Sequence, residues 1–282
     1  MSFPEGVAVG LGDMVMPFQA GVAQLAFWAS EDLAKNGKPC PIYLVPLAIK
    51  YLYQGDMQPE IAASLGRIEE RLLPGQGPVP LGPYDRLARV GEALLSANEK
   101  ARGVLPATGA SFDERVARLR ETLLSGVASA LGVVLREEQS LMEKIRTVQN
   151  SIDQVLYAEP GGSEYERELL ERRQAEAREL SETVLQVRNF VAFDTSYLEE
   201  NLTTERFLDV LRLIELEVFG TSRFRGPRTV VVSVGEPVDV SGFLPRYAED
   251  RQRTLEEVTK RMEDAARGML NGLSRLSRPL KG

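Results

Sequence analysis

The stretch Ile42-Tyr43-Leu44-Val45-Pro46-Leu47-Ala48-Ile49-Lys50-Tyr51-Leu52-Tyr53 carries a single charge and is rich in β-branched and aromatic side chains. Such a run reads as a strand buried on both faces. Pro46 removes a ladder donor, so the strand must offer it an edge or a bulge. Upstream, residues 2–13 read as a strand end and a loop, with Gly6, Gly10 and Gly12 supplying backbone freedom. Between the two, Pro17 suits the first turn of a helix. Phe18, Val22, Leu25 and Ala29 then recur at helical spacing until Asn36-Gly37 supplies a stop. Strand, helix and strand in that order imply a parallel crossover unit and therefore an α/β domain.

Beyond Gln54 the character changes, and helical signals dominate as far as Gly226. Gln58–Leu73 and Tyr84–Arg102 read as helices on either side of the Pro/Gly-rich loop 74–80. Ser111 with Glu114 is a capping box that starts a third helix near Phe112. Leu141, Ile145, Val148, Ile152 and Val155 alternate spacings of four and three, as do Ala177, Leu180, Val184, Val187 and Val191. These are the spacings of a narrow seam, so the two segments read as a long antiparallel helical hairpin packed internally. The segment 159–163 breaks it, Ser163 with Glu166 caps its second helix, and the charge-dense residues 164–182 form a solvated face. Thr203–Phe219 adds a further helix ended by Gly220.

The sheet signal returns at Arg228–Val240, with Gly235-Glu236-Pro237 turning the chain out of it. A final amphipathic helix is expected from about Ala248 to Leu273, with Leu255, Val258, Met262, Ala265, Ala266, Met269 and Leu273 on one face. A basic tail, Arg275 to Lys281, is expected to fray. The fold class is thus α/β, a partial α/β domain over 1–53 and 227–282 split by a helical insertion over 54–226.

The 282 residues, 43% hydrophobic and 27% charged, are enough for one large or two modest domains with a core. A net charge of −7 argues against broad binding to nucleic acid or to anionic headgroups. Cys40 is the one cysteine and histidine is absent, which fits a reducing compartment and argues against a zinc site. Pro4 and Glu5 follow Met1 closely where a secretory leader would have a basic region and an apolar core, so none is expected. The uncharged run from Met14 to Ser30 falls short of the roughly 20 apolar residues of a spanning helix. A cytoplasmic protein is expected, with peripheral membrane attachment left open. Neither a P-loop nor Gly-x-Ser-x-Gly occurs, and Gly10-Leu11-Gly12-Asp13 does not complete Gly-x-Gly-x-x-Gly.

Four pieces in order carry a resemblance: Phe3-Pro4-Glu5-Gly6, Phe18-x-x-Gly21, Ile42 to Lys50, and Val232-Ser233-Val234-Gly235-Glu236-Pro237-Val238-Asp239-Val240. Together they resemble the glycerolipid (lysophosphatidate-type) acyltransferase family. The resemblance implies that Phe3, Pro4, Glu5 and Gly6 help bind the acyl acceptor, and that Pro46 lies at a strand flanking the acyl pocket. Leu44, Val45 and Leu47 would line that pocket or simply form core. Lys50 and Tyr51 would face a headgroup or cap the strand end. The family's base and its orienting acid, in a His-x-x-x-x-Asp block, and its phosphate-binding arginine would both fall before Met1. Val7 and Ala8 also stand where the family often has Thr and Arg.

The implied reaction is acyl transfer from a thioester, acyl-coenzyme A or acyl-carrier protein, to the hydroxyl of a lysophospholipid or glycerol phosphate. No resident cofactor or metal is implied. Without histidine this chain alone is expected to be inactive, with no catalytic residue of its own, since a solvated Glu5 is a weak base for an alcohol. The alternative is a non-catalytic helical interaction protein that keeps an acyltransferase remnant as scaffold. One structural corollary follows from the first reading: an exposed sheet edge or apolar patch near Phe3 and Phe18.

Overall fold

The computed structural model describes residues 1–6, 9–76, 80–193 and 195–280. Val7, Ala8, the loop residues 77–79 and Lys281 lie outside them. The chain divides into two compact units, residues 1–55 with 226–279 and residues 56–225 with 280–282. Sequence composition puts its boundaries at 53/54 and 226/227. Helix accounts for 62% of the chain, so the protein is mostly helical with some sheet.

The first unit holds α1 (Gly21–Lys35), β1 (Tyr43–Leu44), β2 (Leu47–Tyr53), β3 (Arg228–Val234), β4 (Val238–Asp239), α9 (Leu244–Glu249) and α10 (Arg251–Ser274). β2 pairs antiparallel with β3, and β1 pairs antiparallel with β4. The two ladders meet at a break where Pro46 sits opposite the turn 235–237, and the Gly235 amide donates to the Pro46 carbonyl at 2.9 Å. A proline without an N–H and a glycine without a side chain therefore share the one irregular point of the pair. A Cβ on Gly235 would stand 2.8 Å from the Pro46 ring and 3.2 Å from Met269.

Two expectations need correction. No strand forms among the described residues 2–13, and both ladders are antiparallel, so the parallel crossover unit does not exist here. Nor is β2 buried on both faces, because burial alternates along it. Leu47, Ile49 and Tyr51 are exposed, whereas Lys50, the one charged residue of the run, is buried. The inward side packs against α10. Long uncharged runs resemble doubly covered strands because periodicity cannot say whether an apolar face has a neighbour.

α1 forms where helical spacing placed a helix and ends at Asn36. The helix starts at Gly21, after Pro17 and Phe18, and it buries Ala23, Ala26, Phe27 and Ser30 while Leu25, Trp28 and Ala29 are exposed. Phe27 is the anchor of this unit's core. Its ring stacks on Tyr247 with centroids 4.1 Å apart, and Val240, Phe243, Leu255 and Val258 close around it. α10 buries Leu255, Val258 and Ala266 as expected, and Leu270 in addition. The tail is held where fraying was expected, since the Arg278 guanidinium donates to the Gly55 carbonyl and the Leu280 amide to the Leu202 carbonyl.

The second unit is built from α2 (Gln58–Leu72), α3 (Pro83–Arg102), α4 (Phe112–Leu131), α5 (Leu141–Leu156), α6 (Glu164–Asn189), α7 (Ser196–Glu199) and α8 (Thr204–Phe219). α5 and α6 form the expected hairpin, with Ile145, Val148, Ile152, Ala177, Val184 and Val187 buried. Leu141, Val155 and Leu180 are half-buried at its margins. Capping boxes at Ser111/Glu114 and Ser163/Glu166 start α4 and α6, and a third, Ser140/Glu143, starts α5. Among the described residues no helix is long and apolar enough to cross a membrane.

The boxes are expected to make the helical unit sensitive to acid. Hydrogen bonds from the backbone and hydroxyl of Ser111, Ser140 and Ser163 hold the carboxyls of Glu114, Glu143 and Glu166 below the usual glutamate value. The two hydrogen bonds from Arg86 do the same for Glu69. Folded-state values below unfolded ones mean a contribution present above the ordinary carboxyl pKa and lost as pH falls through the lowered values. Replacing Glu114, Glu143 and Glu166 together by Gln keeps the capping geometry and removes the charge. That triple variant should show a flatter decline of Tm between about pH 5 and pH 3 than the parent. An identical decline would mean that the boxes do not set the acid response.

Candidate functional site

The block Phe3-Pro4-Glu5-Gly6 forms a tight turn, closed by the Gly6 amide on the Phe3 carbonyl at 3.3 Å. Phe3 is 75% exposed, Pro4 and Glu5 are half-buried, and Gly6 is exposed. The Glu5 carboxylate accepts from the Met16 amide at 2.8 Å, and the Pro4 carbonyl accepts from the Gln19 amide at 2.8 Å. The turn thus clasps the loop that leads into α1. Two further bonds fix the loop: Phe18 N–H donates to the Glu263 carboxylate of α10, and Asp13 pairs with Lys50 of β2. Glu5 and Pro46, the two ends of the predicted site, are therefore linked through the loop 9–19 and the sheet. Pro46 itself is buried and belongs to the ladder break.

Lys50, for which a headgroup contact and a strand-end cap were the two readings, does neither. It is 2% exposed and spends its charge on Asp13 inside the unit. Tyr51 is exposed, with the Arg228 guanidinium 5.1 Å over its ring. Gly6 has φ of +67°, where a Cβ costs about 1–2 kcal/mol. That Cβ would also overlap the Gln19 amide, so the space beside Gly6 is filled by this chain. Gly6→Ala should therefore lower the stability of the first unit by about 1–2 kcal/mol in urea titrations. Adding Gln19→Ala should not restore it, because the left-handed backbone remains. Full restoration would place the whole cost in the overlap.

Chemically, the turn and loop present backbone, an apolar Phe3 and two carboxylates, Glu5 and Asp13, the second of which is paired with Lys50. The chain has no histidine, and Glu5 is engaged by the Met16 amide. Among the described residues no group of acidic, histidine or cysteine side chains could hold a metal ion.

A second feature lies wholly in the helical unit, and sequence reasoning missed it. A cavity of about 360 Å³ opens between α3, the start of α4, the turn Phe190–Phe193 and α8. Leu87, Gly91, Phe112, Phe193, Val210 and Ile214 give it apolar walls, and Tyr84, Glu92 and Thr195 bring polar groups. Thr195 donates its hydroxyl to the Asp113 carboxylate at 2.8 Å. Burial, together with the carboxylates of Glu199, Asp85 and Asp113, pushes the Tyr84 hydroxyl above its usual value. The only local signal was a glycine inside the helical pattern of residues 84–102, which by itself marks no site.

No protein-family model, curated protein or solved structure matches this chain.

Proposed function

We propose that this chain is the C-terminal part of a glycerolipid-type acyltransferase, whose complete form moves an acyl group from a thioester to a lysophospholipid or glycerol phosphate hydroxyl. By itself the chain is catalytically inactive. Phe3, Pro4, Glu5 and Gly6 contribute to the acceptor side of the site, and Pro46 lies at the strand beside the acyl chain. The four ordered sequence pieces support this family reading.

The outward face of the β2–β3 ladder carries the claim that more of the domain belongs here. Leu47 faces Val234, Ile49 faces Val232, and Tyr51 faces Val230, and all six are exposed. Both ladders are two-stranded among the described residues, so no further strand pairs along their outer edges there. A two-stranded pair is marginal without further strands or a covering layer, and α10 covers only the other face. Full burial is worth about 1.5–3 kcal/mol per such side chain, so six partly exposed ones forgo on the order of 5 kcal/mol. An apolar sheet face of this kind marks a surface meant to be covered.

In this chain by itself, the face should bind a hydrophobic dye and drive concentration-dependent association. Ile49→Thr with Val232→Thr should weaken both while leaving helix content unchanged; unchanged association would place the contact elsewhere. The decisive test is the reading frame preceding the Met1 codon. A His-x-x-x-x-Asp block there, and acyl transfer by the lengthened protein that is lost with Glu5→Ala, are the expected results. A stop codon or unrelated sequence would sink the proposal and leave a non-catalytic interaction protein. Turnover that survives Glu5→Ala would refute the site assignment.

A further inference from the structure

Gly91 stands in the middle of α3, a position where glycine costs about 1 kcal/mol relative to alanine. Packing does not require it. A Cβ there would meet only the Phe112 ring, at 3.7 Å, which is ordinary contact distance. With Ala88 one turn earlier on the same helix, Gly91 keeps open the space between Leu87, Phe112 and Ile214. A core selected for stability alone would fill such space, because each missing methylene there loses packing energy. The volume also falls within the roughly 300–1,000 Å³ of small-molecule sites.

Among the described residues, Glu92 is the one charged residue that lines the cavity, and no lysine or arginine lines it. Asp113 holds Thr195 at the wall, while the charges of Glu199 and Asp85 reach Tyr84. Arg115 pairs with Glu92, but Glu99 shares the same guanidinium, so two carboxylates face one cation. The N-terminus of α4 lies nearby at Phe112, yet its positive end is already met by Ser111, Asp113 and Glu114.

We propose that this cavity is a binding site for a small amphipathic cation, with an alkyl or aromatic body against Leu87, Phe112, Val210 and Ile214 and an amine at the acidic end. The apolar body supplies burial, and the carboxylates supply the preference for an ammonium over a neutral or anionic head. The site lies wholly within the helical unit, so it stands or falls independently of the acyltransferase reading.

The test is calorimetric titration of the full chain with n-octylamine, octan-1-ol and octanoate at neutral pH, three probes with one body and three heads. The amine should bind at least about tenfold tighter than the alcohol, and octanoate weakest. Gly91→Leu, which projects a branched side chain into the cavity, should abolish binding, whereas Gly91→Ala should retain most of it. Glu92→Gln should reduce the preference for the amine and leave octan-1-ol unchanged. Octanoate binding as tightly as the amine would overturn the proposed class. Absence of binding by all three probes, or amine binding untouched by a folded Gly91→Leu variant, would overturn the site.

Discussion

Asp13→Ala is expected to destabilise the first unit by about 3–5 kcal/mol, the cost of stranding a buried charge. The Lys50 side chain is 2% exposed and that of Asp13 is fully buried, so neither water nor a surface counterion relieves the loss. Lys50 comes from the middle of β2, and Asp13 from the loop clasped by Glu5 and Glu263. Removing the carboxylate therefore both strands the ammonium and frees the loop from the sheet. Trp28 is the chain's one tryptophan and sits on α1, so its fluorescence in urea reports this unit. Asp13→Leu combined with Lys50→Met removes both charges and should recover most of the stability, as apolar replacements of buried pairs commonly do. A single-variant loss near the 0–1 kcal/mol of surface pairs would show that the ammonium reaches water.

Arg225→Met should have a comparable effect on the helical unit. Glu215 on α8 and Arg225 are each 1% exposed in their side chains, and the guanidinium donates to the Glu215 carboxylate at 2.6 Å. The Arg223 amide donates to the same oxygen at 3.2 Å, so the carboxylate organises the whole exit from α8. Without Arg225 the carboxylate keeps one backbone donor, and the expected cost is again about 3–5 kcal/mol. Far-ultraviolet circular dichroism in urea follows this unit, which holds most of the helix. Arg225→Lys should rescue little, since an ammonium cannot reproduce the reach and planar geometry of the guanidinium. Glu215→Leu with Arg225→Met should restore much of the loss. Full stability in Arg225→Met alone would mean that the Arg223 amide suffices.

Some of this architecture was legible residue by residue. Ser111/Glu114 and Ser163/Glu166 form the boxes their spacing implied, and Gly220 ends α8 in the left-handed conformation. Ser140/Glu143 has the same spacing and went unread, although the signal was there. The hairpin seam emerged because each helix repeats its apolar positions over several turns. On α1 the helix and its stop at Asn36-Gly37 were legible but its buried face was not, because Leu25 and Trp28 are apolar yet exposed, and the buried set is mostly small. The predicted site was legible only as motifs. That Gly6 abuts Gln19, that Glu5 holds the Met16 amide, and that Lys50 turns inward depend on contacts between segments far apart in the chain.

The amino-acid order alone determined which segments are helical, several of their ends, and where sheet-forming segments flank a helical stretch, because caps, breakers and periodicity act within a few residues. Only the tertiary structure decided the direction of the ladders, the side of β2 that is buried, and the cavity beside Gly91. Strand pairing joins residues such as Ile49 and Val232 that no local rule connects. Burial is set by what arrives on a face, and here the buried Asp13 carboxylate pairs with Lys50 of β2 while its apolar neighbours Leu47, Ile49 and Tyr51 face outward.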